Sequence, residues 1–353
     1  MSPPLPDGFD GLFPANVAIV TGKGGVGKTT VAASLALASA ESGRRTLLVE
    51  VEGRQGLHRT FGTHPWDYTE REFRAGLWGA ALDPADSVYE YLELFYGLKR
   101  VQWLMERSNA LDFVTTAAPG LRDLLLIGKI YEIEARRRDD GRRQYDLIVV
   151  DAPPTGRILP FLEAPEGVTE IVRVGPIKRQ AGQIRDMLRN PARVQAVIVT
   201  LLEEMPVQET VEAVTALRAA GVDVGPIVAN QVVRPRLDDE AATALQAMGA
   251  GGLRTRSEDA GASMSGRTAQ LALQVAAEHR SRVGMQASLR GELEDRTGQG
   301  VLGLPLLTSA TFDVRDIEVL ADALALQVGE PGPRAEDLLQ GTSAATTTTR
   351  ARP

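Results

Sequence analysis

One octapeptide restricts this chain more than any other feature: Gly22-Lys23-Gly24-Gly25-Val26-Gly27-Lys28-Thr29, with the apolar run Val17-Ala18-Ile19-Val20 before it and an apolar stretch to about Ser42 after it. Four glycines in eight residues let the backbone curl until successive N–H groups converge on one point, which makes a nest for an anion. A helix that starts inside the loop adds a field favourable to negative charge. Gly22, Gly27, Lys28 and Thr29 satisfy G-x-x-x-x-G-K-[ST], in the strand–loop–helix context that phosphate binding needs. Lys28 is expected to reach the β and γ phosphates of a nucleotide, and the Thr29 hydroxyl to ligate Mg²⁺. Gly22, Gly24, Gly25, Val26, Gly27 and Thr30 complete the expected cradle, so ATP and Mg²⁺ are the expected ligands.

The rest of the chain alternates short apolar runs with helical stretches. Strands are expected at 17–20, 46–51, 77–82, 147–150, 197–199, 227–229 and 304–307. Helices are expected over about 27–42, 207–220, 268–295 and 314–328. Strands that are apolar on both faces and separated by helices predict a doubly wound α/β fold with a mostly parallel sheet. Residues 84–137 and 158–190 read as mostly helical, and a helical lobe is expected within 84–118 and 158–190. A Gly/Ser-rich linker is expected around 250–266, a loose Pro/Gly-rich arm over 1–14, and a disordered tail over 329–353, where Thr346-Thr347-Thr348-Thr349 is of low complexity.

With 353 residues, 43% of them hydrophobic, the chain can bury a large core. Its formal charge of −7 gives no overall attraction to nucleic acid or to an anionic membrane, and it suits a cytoplasmic protein. The basic run Arg136-Arg137-Arg138 reads as a solvated helix end. The absence of cysteine excludes disulfides and thiolate metal sites, and His58, His64 and His279 lack ligand spacing. The N-terminus has neither the basic nor the apolar segment of a signal peptide, and no apolar run is long enough to span a bilayer.

Two further features narrow the reading. Lys23 adds a second lysine to the loop, and Asp151-Ala152-Pro153-Pro154-Thr155-Gly156-Arg157 follows an apolar strand, where a carboxylate can serve Mg²⁺ through water. The loop resembles the deviant Walker A motif of P-loop ATPases, and the Asp151 run resembles switch II of the ArsA/Get3 family within them. Thr200-Leu201-Leu202-Glu203-Glu204-Met205, Ile227-Val228-Ala229-Asn230-Gln231 and Leu304-Pro305-Leu306-Leu307 resemble later segments of that family in the same order, so the likeness runs from about residue 15 to 328. The resemblance implies a dimeric P-loop NTPase in which Lys23 crosses to the partner's nucleotide. It also implies that Asn230 reads adenine and that Glu203 lies near the nucleotide at the interface. Catalysis would fall to Lys23, Lys28, Asp151 and a switch I carboxylate.

Three positions depart from the family pattern. Glu52 stands where the family's water-orienting aspartate is expected, one methylene further out, and a displacement of about 1 Å can slow a reaction about 10²-fold. Arg157 replaces a switch II histidine. The cysteines that bind zinc or metalloid are missing, which removes the chemical basis for arsenite binding. The implied partner is a second copy or a related ATPase, and the work done is on a protein client or membrane partner. Tyr89, Tyr96 and Trp103 form a line on the 88–105 helical stretch that could face a client groove, although core packing explains them equally well. The alternative is a slow or inactive nucleotide-sensing subunit of a heterodimer.

Overall fold

The computed structural model describes residues 8–51, 56–83, 119–171 and 176–329. Glu52, the aromatic stretch 84–118 and the tail from 330 onward lie outside the described residues.

An eight-stranded sheet forms the centre, in the order β3-β4-β2-β5-β1-β6-β7-β8. The strands are β1 (Val17–Gly22), β2 (Thr46–Val51), β3 (Arg71–Arg74), β4 (Leu77–Leu82), β5 (Leu147–Asp151), β6 (Val194–Leu201), β7 (Val224–Val232) and β8 (Val301–Pro305). All neighbours pair in parallel except β3, which runs antiparallel to β4. β1, β2 and β5 are buried along their whole length, as parallel strands with helices on both faces must be. The expected doubly wound α/β architecture is therefore present.

Residues of opposite parity along each strand feed two separate cores. Ile19, Leu47, Val49, Ile148 and Val150 face one core, which is covered by α4 (Pro119–Ala135), α5 (Thr155–Ile171), α6 (Pro176–Leu188) and α7 (Glu204–Ala219). Ala18, Val20, Leu48 and Val149 face the other, which is covered by α2 (Lys28–Glu41) and α10 (Val314–Gln327) and also takes in Leu57 of the one-turn α3 (Leu57–Thr60). α2 is buried on nearly every side, and its small residues allow that: Ala32, Ala33, Ala36, Ala38, Ser34 and Ser39 bring it close to both sheet and helix. The buried hydroxyls are satisfied locally, Ser34 donating to Thr30 O at 2.9 Å and Ser39 sharing a hydrogen bond with Thr46. Gly43, at φ 90°, then turns the chain out of α2.

Several expectations change. Residues 8–13 are not a loose arm: α1 (Gly8–Leu12) buries Phe9 and Leu12, and Phe13 follows them into the α2 core. The Gly8 amide also donates to Val328 O at 2.7 Å. Three large apolar side chains there outweigh the local Pro/Gly bias. The linker expected around 250–266 is mostly helix, because α8 (Asp239–Asp259) runs through it with a break at Gly249 (φ 64°). It is joined by a short turn to α9 (Gly266–Thr297), longer at both ends than expected. The last strand begins at Val301 and stops at Pro305, so Leu306 and Leu307 lie beyond it. Within 158–190, α5 and α6 form a layer on the sheet, since Phe161, Ile184 and Met187 share a core with Ile148 and Val150. The other part of the expected lobe, 84–118, lies outside the described residues. No described helix is long and apolar enough to cross a membrane.

Candidate nucleotide site

The strand order reverses at β1: the chain passes from β1 to β2 on one side and from β5 across β1 to β6 on the other, and the C-terminal edge at such a point is where ligands bind in open α/β sheets. The glycine loop leaves the sheet there. Gly22 sits so close to β6 that a Cβ would lie 2.2 Å from the Val199 carbonyl oxygen. Gly27 has φ 92°, and a Cβ on it would lie 2.2 Å from the Asn230 amide nitrogen. No side chain caps α2 at Gly27, so the first amides of the helix remain available for an anion. Gly24 and Gly25 have nothing within 4 Å on their Cβ side, which leaves the rim of the cradle open.

The side chains converge below that rim. Lys28 is buried, and its ammonium folds back to donate to Lys23 O at 3.0 Å, which holds the charge over the loop. Thr29 Oγ1 donates to Asp151 Oδ2 at 2.7 Å, so the two expected Mg²⁺ residues, 122 positions apart, are in direct contact. Asp151 ends β5 in register with Val20 of β1, which carries the carboxylate beneath the loop. Thr21 Oγ1 donates to Pro153 O at 2.8 Å and fixes the start of the Asp151–Arg157 run. A hydroxyl and a carboxylate side by side suit Mg²⁺, which binds through one or two protein oxygens and keeps its remaining positions for phosphate and water. No group of three or more acidic, histidine or cysteine side chains that could hold a metal occurs among the described residues. The cradle and the oxygen pair therefore fit ATP with Mg²⁺.

Asn230 is buried beside the loop. A left-handed Gln231 (φ 56°) and a register shift between Ala229 and Val232 disturb β7 at this point. The Asn230 amide nitrogen donates to Val26 O at 2.9 Å, and its oxygen accepts from the Gln231 amide at 2.9 Å. Its first observed role is thus to brace the loop, with one donor and one acceptor position left over. Glu203 precedes α7 on the same edge of the sheet and is exposed. Thr30 is half-buried in the first turn of α2.

Lys23 does not point into its own cradle: its ammonium binds Glu209 Oε1 of α7 at 2.5 Å. Arg157 lies in the first turn of α5, with its guanidinium 3.9 Å from Asp123 of α4. Two residues at the site carry no motif signal. Glu209 becomes visible only when α7 folds beside the loop. Glu50 had a local signal, a carboxylate inside the buried strand Thr46-Leu47-Leu48-Val49-Glu50-Val51. Glu52 itself lies outside the described residues.

A central strand, an anion nest, a buried lysine and a Thr–Asp pair on a parallel sheet define a P-loop NTPase. The model of the anion-transporting ATPase family matches residues 15–184. The ATPase BagA of Mycobacterium tuberculosis is 43% identical over 228 residues, covering 63% of this chain and 66% of that protein. This chain therefore spans slightly less than two thirds of that relative. The ATPase GET3 of Kluyveromyces lactis is 25% identical, covering 62% of this chain and 73% of its own. The ATPase ARSA1 of Chlamydomonas reinhardtii is 26% identical, covering 66% of this chain and 38% of its own. Residues 15–184 therefore carry the sequence of the ArsA/Get3 family of anion-transporting-type ATPases, and the likeness to its ATPases extends over about two thirds of the chain.

Proposed function

We propose that this chain binds and hydrolyses ATP with Mg²⁺ as one half of a dimer, and couples that cycle to a protein client or membrane partner. The observation that carries the reading is the Thr29–Asp151 contact at 2.7 Å directly below the glycine nest. The nest amides and Lys28 would hold the phosphates, and Thr29 and Asp151 would hold the cation. Bound Mg²⁺ supplies positive charge to the phosphate oxygens. Lys23 would leave Glu209 and reach the nucleotide of the second subunit, a second copy or a related ATPase. Charge delivered there stabilises phosphoryl transfer. Glu52 would orient the attacking water, Asn230 would use its remaining amide positions on adenine, and Glu203 would lie near the nucleotide. With no cysteine, this chain offers no thiolate to hold arsenite, so arsenite binding is not the work we propose for it.

Steady-state hydrolysis tests this reading. Mg²⁺-dependent turnover that falls at least about 10²-fold in Glu52→Gln supports it. A robust rate untouched by that substitution removes Glu52 from the mechanism.

A second reading is favoured by one specific contact, the Lys23–Glu209 ion pair, which keeps the second lysine within its own chain. With Glu52 in place of aspartate, it suits a slow nucleotide-sensing subunit of a heterodimer. Pure protein that binds ATP tightly without turning it over would favour this alternative.

A further inference from the structure

Glu50 is a charged side chain in a strand where every residue is buried, and it is itself only 1% exposed. Burying a carboxylate is costly unless partners compensate for the lost water. One of its oxygens has such a partner, because Oε1 accepts from the Gly56 amide at 2.8 Å. The other does not: Oε2 is buried with no hydrogen-bond partner among the described residues.

The sheet register says where this carboxylate lies. Glu50 pairs with Asp151 of β5, and paired residues on neighbouring parallel strands project to the same face. That is the face of Leu48 and Val149, the one covered by α2. A Cβ on Gly56 would lie 4.0 Å from both Glu50 Oε1 and the Thr29 methyl, so Thr29 closes the group from the helix side. Glu50 therefore stands beside the Thr29–Asp151 pair at the C-terminal end of β2. Two carboxylates on adjacent buried strands repel each other unless positive charge is close.

We propose that Glu50 is a positioning residue for the nucleotide's divalent cation, with Oε2 accepting a hydrogen bond from water in the cation's hydration shell while Oε1 anchors Gly56. The inference rests on the ATP–Mg²⁺ reading above and deepens it. It adds a third oxygen side chain to the site, on the strand that leads into residues 52–55. Gly56 N–H links the same carboxylate to the far end of that segment.

Glu50→Gln separates this role from a structural brace, because the amide oxygen can still accept from Gly56 while the charge is gone. Binding of a fluorescent ATP analogue is titrated with Mg²⁺, and again in EDTA, for wild type, Glu50→Gln and Glu50→Asp. Loss of an outer-sphere ligand partner lowers metal affinity about 10–100-fold, so Glu50→Gln should need at least about tenfold more Mg²⁺ for half-maximal binding. Its affinity in EDTA should stay within about twofold of wild type, because no group on the phosphates is removed. Glu50→Asp, which keeps the charge, should recover part of the Mg²⁺ dependence. Should Glu50→Gln fail to fold, Glu50→Asp alone decides, with a reduced Mg²⁺ affinity expected for its shorter reach. Folded variants with the Mg²⁺ dependence of wild type overturn the inference. A wild type whose ATP binding ignores Mg²⁺ overturns the ATP–Mg²⁺ reading itself.

Discussion

The Lys23 ammonium is paired with Glu209 at 2.5 Å, so the second lysine of the glycine loop rests on α7 of its own chain. Lys28, five residues on, is turned inward over the same loop. Two lysines of one motif thus have opposite orientations, and their removal should have opposite consequences. Lys28→Ala should weaken ATP binding about 10–100-fold, the value of a charged hydrogen bond to phosphate. Lys23→Ala should leave ATP affinity within about twofold yet slow turnover at least about 10²-fold, as for loss of one transition-state donor. Equilibrium binding and steady-state rates on both variants check this. Equal effects on affinity would contradict a role for Lys23 in trans.

The ion pair must break before Lys23 can act elsewhere. Both partners are partly exposed, and such pairs contribute about 0.2–1 kcal/mol. Glu209→Gln should therefore favour ATP-dependent self-association by about twofold to fivefold, read by sedimentation velocity with ATP and Mg²⁺.

The glycines of the loop should separate fold from ligand. Gly27→Ala places a Cβ against the Asn230 amide at a left-handed φ, and should cost about 1–3 kcal/mol of stability. Gly24→Ala meets nothing within 4 Å, so its thermal midpoint should stay unchanged while nucleotide affinity falls. Thermal melts with and without ATP measure both.

Asn230 braces the loop through Val26 O before it touches any base. Asn230→Ala should lower stability by about 1–3 kcal/mol, because a buried carbonyl loses its donor. It should also reduce the preference for ATP over GTP. A stability change without any change in preference would leave Asn230 as a brace alone.

The sequence made the edge that carries the candidate site legible because β1, β2 and β5 are short and fully buried, and β1 and β5 each run into a motif. Strand β3 was not foreseen: Arg71-Glu72-Phe73-Arg74 is a charged edge strand, and its polar character protects a free sheet edge rather than filling a core. Phe9, Leu12 and Phe13 were hidden by the prolines around them. Glu209 lies 186 residues from Lys23, and no local pattern joins them. Glu50 was visible as a charge in an apolar strand, but only the β2–β5 register gives it Asp151 as a neighbour.

If the Thr29–Asp151 pair holds the cation, Asp151→Asn removes the negative charge that the cation needs. Mg²⁺-dependent ATP hydrolysis by the purified chain, with Asp151→Asn in parallel, is the measurement. The wild-type rate should require Mg²⁺ and fall at least about 10²-fold in Asp151→Asn, with the variant still folded. A rate indifferent to Mg²⁺ or to Asp151 would contradict that role for the pair.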